Sequence, residues 1–225
     1  MKKIIATLAV LAAASSASAA VYNGNGNTGF GGPVGNGVLT ITDDGAGVIT
    51  VSNSPAVSGN VLVLYIDSIA GGVADTSGLT DFVDGGRRAT SGADTTTRSL
   101  VTFPSGFTAD RAILIAGFSV GFDITNTNSN FAFFSTGGAS TAVFNASELG
   151  LAGTPGQSFN FVGTLISETA FRSNEAYGVS NAGAANLGFN DPLTFSQSLT
   201  YNFVPEPATL GMLAAGALVA LRRRK

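Results

Sequence analysis

The chain contains no histidine and no cysteine, which excludes a Ser-His-Asp triad, a Cys-His pair and the usual zinc sites. Any chemistry falls to carboxylates and arginines. The densest grouping is Asp81-Phe82-Val83-Asp84-Gly85-Gly86-Arg87-Arg88, with two acids, a glycine turn and two guanidinium groups. Asp81, Asp84, Arg87 and Arg88 could hold calcium or bond the vicinal hydroxyls of a sugar in pairs. The plainer reading is a polar hairpin loop whose charges neutralise one another. A second grouping, Phe171-Arg172-Ser173-Asn174-Glu175-Ala176-Tyr177, sets Arg172 and Glu175 among aromatic and amide groups. A saccharide platform uses that mixture, and so does an ordinary loop beside a sandwich. Asp43-Asp44-Gly45 lacks the alternating-aspartate spacing of an EF-hand-like loop and reads as a turn. Glu148, Glu168, Glu175 and the aspartates could supply the two carboxylates of a glycosidase, roughly 5 to 9.5 Å apart. Nothing in their spacing selects a pair, and most of the aspartates adjoin glycine at turns, where they bond local backbone. The expectation is a protein without catalytic residues, metal site or required cofactor, calcium being the one ion these carboxylates could take.

The segments that must position these groups read as strands. Val38 to Thr42 and Val48 to Ser52 are β-branched runs flanking Asp43 to Gly47, a hairpin with Leu39 and Ile41 on one face of its first arm and Ile49 and Val51 on one face of its second. Val61 to Ile66 and Arg111 to Phe118 are nearly continuous apolar runs, suited to strands buried on both faces at the centre of the core. Further strands read at Ser99 to Phe103, Val120 to Ile124, Phe131 to Ser135 and Phe159 to Glu168. Leu193 to Phe203 alternates as one long strand that only Gln197 interrupts. Helix signals are limited to single turns at Asn145 to Leu151 and Thr76 to Val83. With thirty glycines and Ser/Thr/Asn-rich connections, this pattern predicts an all-β fold, an antiparallel, jelly-roll-like β-sandwich. A parallel β-helix is the rival, and no fixed repeat period supports it.

Composition narrows the partners. The only lysines are Lys2, Lys3 and Lys225, which leaves the body five arginines against thirteen carboxylates, a net of −8. Such a surface offers no basic patch for nucleic acid. Without cysteine the body has no disulfides and stands on its core alone.

Both ends read as addresses. Met1-Lys2-Lys3, the apolar run Ile4 to Ala14, and Ala17-Ser18-Ala19 form the basic, apolar and A-x-A parts of a secretory signal peptide, with a mature chain starting at Ala20. A membrane-spanning reading fits less well, because the apolar stretch is short. At the other end Val204-Pro205-Glu206-Pro207 precedes an apolar run from Leu210 to Leu221 and the basic terminus Arg222-Arg223-Arg224-Lys225. As a helix, Ala208 to Leu221 would rise roughly 21 Å against a hydrocarbon core of ~30 Å, a short transmembrane helix at best. Its cations hold to the cytoplasmic side as a stop-transfer signal. An amphipathic surface helix is disfavoured, since Leu210 to Leu221 has no polar face. The prolines push the strip from Val204 to Glu206 toward extended geometry. The chain thus divides into a signal peptide (1–19), a Gly/Asn-rich approach (20–36), one sandwich domain (37–203) and a sorting segment (204–225).

This tripartite tail resembles the PEP-CTERM sorting signal of Gram-negative bacteria. The resemblance implies export, a transient inner-membrane intermediate anchored by the C-terminal helix, and cleavage near Pro205-Glu206-Pro207 by an exosortase-type membrane enzyme. Delivery to the cell surface or its exopolysaccharide matrix would follow. The body is similar in outline to DOMON-like and carbohydrate-binding β-sandwich modules. That likeness rests on Gly31-Gly32-Pro33-Val34-Gly35, Leu39-Thr40-Ile41-Thr42-Asp43-Asp44-Gly45, Tyr65-Ile66-Asp67-Ser68 and Phe103-Pro104-Ser105-Gly106-Phe107-Thr108-Ala109-Asp110. No ligand-binding residue carries over. The combined expectation is an exported structural or adhesive surface protein, with an exopolysaccharide-binding module as the alternative.

Overall fold

The computed structural model describes residues 18–125, 131–138, 140–181 and 192–204. The leader before Ser18, including Ala17, lies outside the described residues, and so does the sorting segment from Pro205 through Glu206 and Pro207 to Arg222, Arg223, Arg224 and Lys225.

Two antiparallel sheets form the sandwich. The smaller orders β1 (Ser18–Asn23), β2 (Val38–Asp43), β3 (Val48–Ser54) and β11 (Thr141–Asn145). β2 and β3 are the expected hairpin. Asp44 closes it by accepting Ala46 and Val48 N–H, both at 2.8 Å, while Asp43 accepts Gly45 N–H at 3.0 Å. β1 begins two residues before Ala20, so a cut between Ala19 and Ala20 leaves Ala20 to Asn23 paired to β2. The larger sheet orders β10 (Ala132–Phe134), β9 (Ser119–Asp123), β8 (Arg111–Ile115), β4 (Val61–Asp67), β12 (Ser158–Ile166) and β13 (Arg172–Tyr177). β16 (Leu199–Asn202) pairs with the first half of β12.

Alternation along the central strands feeds two cores. Leu62, Leu64 and Ile66 of β4, with Ile113 and Ile115 of β8, meet Leu39, Ile41, Ile49 and Val51 of the smaller sheet. Val61, Val63, Tyr65, Ala112 and Leu114 enter a second core on the opposite face. A third layer covers that face: α1 (Gly85–Ser91), the ribbon β5 (Ala93–Asp94) with β6 (Thr97–Arg98), and a three-stranded sheet of β14 (Val179–Ser180), β15 (Leu193–Gln197) and β7 (Val101–Thr102). Each fully buried Val, Leu, Ile or Phe contributes about 1.5–3 kcal/mol, so double-sided burial of β4 and β8 stabilises a fold that has no cysteine to cross-link it.

The antiparallel sandwich and its two central strands match the sequence reading, except that the second ends at Ile115 and leaves Phe118 in the bend before β9, and three further local expectations do not hold. Leu193 to Phe203 is two strands in two sheets. Leu193 and Phe195 pack in the second core, Tyr201 and Phe203 in the first, and the exposed Gln197 marks the point where the chain changes layers. The segment from Asp81 to Arg88 enters a helix rather than a hairpin loop. The helical turn expected over Thr76 to Val83 is only a hydrogen-bonded turn, Leu79 N–H donating to Thr76 C=O at 3.2 Å. The turn after Asn145 is present, as a 3-10 helix at Ala146–Leu149.

Candidate functional site

Asp84 builds the first grouping by capping α1. Its carboxylate accepts Arg87 N–H at 2.8 Å, and Gly92 ends the helix in the left-handed conformation at φ 61°. Gly85 and Gly86 weaken helix propensity, but they let the first turn lie against its neighbours. A Cβ at Gly85 would stand 2.7 Å from the Glu168 carboxylate, and one at Gly86 would stand 3.2 Å from Leu114. Arg87 then reaches back. Its Nε donates to Asp81 at 3.0 Å, its Nη1 pairs with Asp84, and its guanidinium lies 5.0 Å over the Phe122 ring. Asp81 is fully buried and also accepts Phe131 N–H at 2.7 Å, which ties α1 to the lead into β10. Arg88 turns the other way and donates to the Glu168 carbonyl at 3.1 Å.

These residues wall an open cleft of about 370 Å³, lined by Asp84, Gly85, Gly86, Arg87, Phe118, Val120, Phe122, Phe133 and Glu168. Phe118 is 40 % exposed and Phe133 62 % exposed. Arg87 Nη2 and the Glu168 carboxylate make no hydrogen bond among the described residues, so a donor fork and an acceptor stay open in the cleft. Burial acts to raise the Asp84 pKa, but the bonds from Arg87 outweigh it and hold the carboxyl below its ordinary value. A general acid needs the opposite shift.

Arg172 and Glu175 sit elsewhere, inside β13, on a strand whose six residues are all buried. Glu175 is clasped by the glycine-rich approach. Oε1 accepts Phe30 N–H at 2.7 Å and Gly32 N–H at 3.1 Å, and Oε2 accepts Val34 N–H at 2.9 Å and Gly35 N–H at 3.0 Å. Asn25 N–H donates to the Ala176 carbonyl at 3.0 Å, and the Asn25 and Asn27 amides reach the Asn174 carbonyl at 2.9 and 3.0 Å. The approach therefore covers the outer edge of β13, which an open sheet would leave unpaired. Gly35 is required there, because a Cβ would stand 1.7 Å from the Asn27 carbonyl oxygen.

Arg172 is fully buried in the opposite direction. Nη1 donates to Thr164 Oγ1 at 2.8 Å and Nη2 to the Ser99 carbonyl at 3.1 Å, whereas Nε has no partner among the described residues. Burial pulls its pKa down, and the neighbouring Tyr65 phenol partly offsets this. Both charged groups of the second grouping are thus bound within the fold and far from a solvent-facing platform.

The structure brings Asp84 and Arg87 together at one cleft, with Asp81 beneath, Arg88 at its margin, and Arg172 and Glu175 outside it. The sequence names Glu168 as a site residue only among carboxylates that no spacing selects, and it places Phe118 and Phe133 in strands rather than at a cleft. Phe133 was legible only as one residue of the strand run Phe131 to Ser135, and Phe118 only as the last residue of the apolar run from Arg111, whereas both rings face solvent. Among the described residues no three His, Cys, Asp or Glu side chains converge to hold a metal ion. Nor is any helix there long and apolar enough to cross a membrane.

The chain carries a PEP-CTERM protein-sorting motif, matched at residues 203–225. Such signals are recognised by exosortase-type membrane enzymes, and the match implies an exported protein processed as it passes through the membrane. No curated protein and no solved structure matches the chain.

Proposed function

We propose that this protein is an exported, non-enzymatic structural or adhesive component of the Gram-negative cell surface or extracellular matrix, released from the inner membrane by exosortase-type processing. The match at residues 203–225 carries this reading. The construction of the body supports it. Asp81, Glu175 and Arg172 serve internal bonds, and the cleft carboxyl of Asp84 is shifted away from acid catalysis. Replacing Glu206 with alanine should leave a longer, membrane-retained chain, read by fractionation and intact mass. Unchanged release of the mature form would refute processing at this motif.

A second reading, an exopolysaccharide-binding module, is favoured by the α1 cleft. Two exposed phenylalanine rings beside the Glu168 carboxylate and the Arg87 Nη2 amino group, both without a hydrogen bond among the described residues, are the groups that stack on sugar faces and bond hydroxyls. The exported protein should then be retained on native exopolysaccharide, with and without calcium. Phe133→Ala and Phe118→Ala, changes on the surface, should abolish retention while leaving the fold intact. Equal retention by these variants would move the site elsewhere, and no retention by the natural protein would leave the structural reading alone.

A further inference from the structure

We infer that β16 must leave the sandwich before the sorting enzyme can cut the chain at Pro205-Glu206-Pro207. The inference rests on processing at that motif. Phe203 is 2 % exposed. Its N–H donates to the Gln157 carbonyl at 2.9 Å, and its own carbonyl accepts Gly156 N–H at 3.0 Å. Its ring stands edge-on to Tyr201 at 5.4 Å and to Phe159 at 6.3 Å. Only Val204 separates this locked residue from Pro205.

One residue spans at most about 3.3–3.6 Å of extended chain. A protease that holds its substrate as an extended strand needs several residues on the N-terminal side of the cut, with their backbone groups free to pair with its own. Here those residues are Leu199 to Phe203: Leu199 to Asn202 are in register with Ser158 to Phe161 of β12, and Phe203 is bonded to Gln157 and Gly156 just before it. The same backbone cannot pair with β12 and with an enzyme. An enzyme confined to the membrane is limited further, since Val204 is the only residue between Phe203 and the motif in the sequence.

β16 is also the strand best placed to leave. It is four residues long and, among the described residues, pairs as a strand with β12 alone. β12 keeps β4 on one side and β13 on the other after β16 has gone. Toward the smaller sheet β16 is held by side-chain bonds, Tyr22 Oη donating to the Thr200 carbonyl at 2.8 Å and the buried Tyr201 hydroxyl donating to the Asp43 carboxylate, and not by a strand ladder. Local opening of a short terminal strand lies at the low end of a fold's opening free energies.

The test follows conversion of the pulse-labelled full-length chain in cells with an active sorting system. A Gly/Ser spacer of about six residues between Val204 and Pro205 leaves the sandwich untouched and supplies free extended chain. It should raise the conversion rate about tenfold or more, because the natural chain is cut only in its open fraction. Tyr22→Phe should speed conversion of the natural chain and leave the spacer chain unchanged. Conversion of the spacer chain at or below the natural rate overturns the inference. Glu206→Ala in both backgrounds separates the two ideas: if it fails to block conversion, the motif reading falls and not the strand.

Discussion

Glu175 carries the sharpest stability prediction. Its two carboxylate oxygens accept four backbone N–H groups between Phe30 and Gly35, at 2.7 to 3.1 Å, with the side chain fully buried. Glu175→Gln keeps the volume, but its amide nitrogen must face one pair of these donors. Two bonds are lost and donor stands against donor. A buried polar group left unpaired costs about 1–3 kcal/mol, so the substitution should cost about 3 kcal/mol once partial water entry is allowed. For a domain of this size about 1 kcal/mol moves Tm by 2–4 °C, and the expected fall is about 6–12 °C. Thermal and urea unfolding of the exported protein measure it, and amide exchange locates it. Protection should be lost at Phe30, Gly32, Val34 and Gly35 and kept in β4 and β8. A drop under about 2 °C, or uniform loss of protection, would show that the carboxylate does not organise the approach.

Arg172 should behave in the opposite way. Among the described residues it has no carboxylate partner and one unbonded nitrogen, so Arg172→Met, which removes the desolvation cost, should change stability by less than about 1.5 kcal/mol in urea titration; a loss as large as that for Glu175→Gln would contradict this. Alkaline pH should unfold the protein through its tyrosines. Burial raises the pKa of Tyr65, and burial with the Glu175 charge raises that of Tyr177. Both phenols must then stay protonated in the fold, so their stabilisation is complete below about pH 10 and is lost as pH climbs through the raised values. Phenolate absorbance should rise together with loss of the fold, and ionisation of Tyr65 and Tyr177 in a still-folded protein would refute the argument.

What was legible in the sequence divides along a physical line. Periodicity of apolar residues exposes strands whose faces are apolar, so β2, β3, β4, β8 and β12 could be read directly. β13 could not, because Arg172-Ser173-Asn174-Glu175 is buried through hydrogen bonds to segments far away in the chain, and burial of that kind leaves no local pattern. α1 was hidden by its two glycines, which lower helix propensity but are placed for close approach to Glu168 and Leu114. The break at Gln197 was visible as an interruption, but its meaning, a change of layer, exists only once both cores are formed. The same limit applies to the cleft. Asp84 and Arg87 were read from their proximity in sequence, whereas Phe118 reaches it from the bend between β8 and β9, Phe133 from β10 and Glu168 from just past β12.

These clamps bear on how the exported body survives without disulfides. A cross-link constrains the chain by covalent closure, and here closure is achieved by non-local polar ties at both ends of the body. The approach is fastened to β13 through Glu175 and to β3 by the Asn53 amide, which donates to the Pro33 carbonyl at 2.9 Å while its oxygen accepts the Tyr177 hydroxyl at 2.6 Å. The last strand is fastened to β12 and, through Tyr22, to β1. Tyr22 also packs edge-on against Phe161 at 4.9 Å, so the strand that follows the leader and the strand that precedes the sorting motif share one contact region. A cut after Ala19 retains Tyr22 and with it the brace on β16. The brace holds the sandwich closed after release and also restrains the strand whose departure exposes the motif. The fold that must endure outside the cell and the processing that delivers it there therefore draw on the same few bonds, in opposite directions.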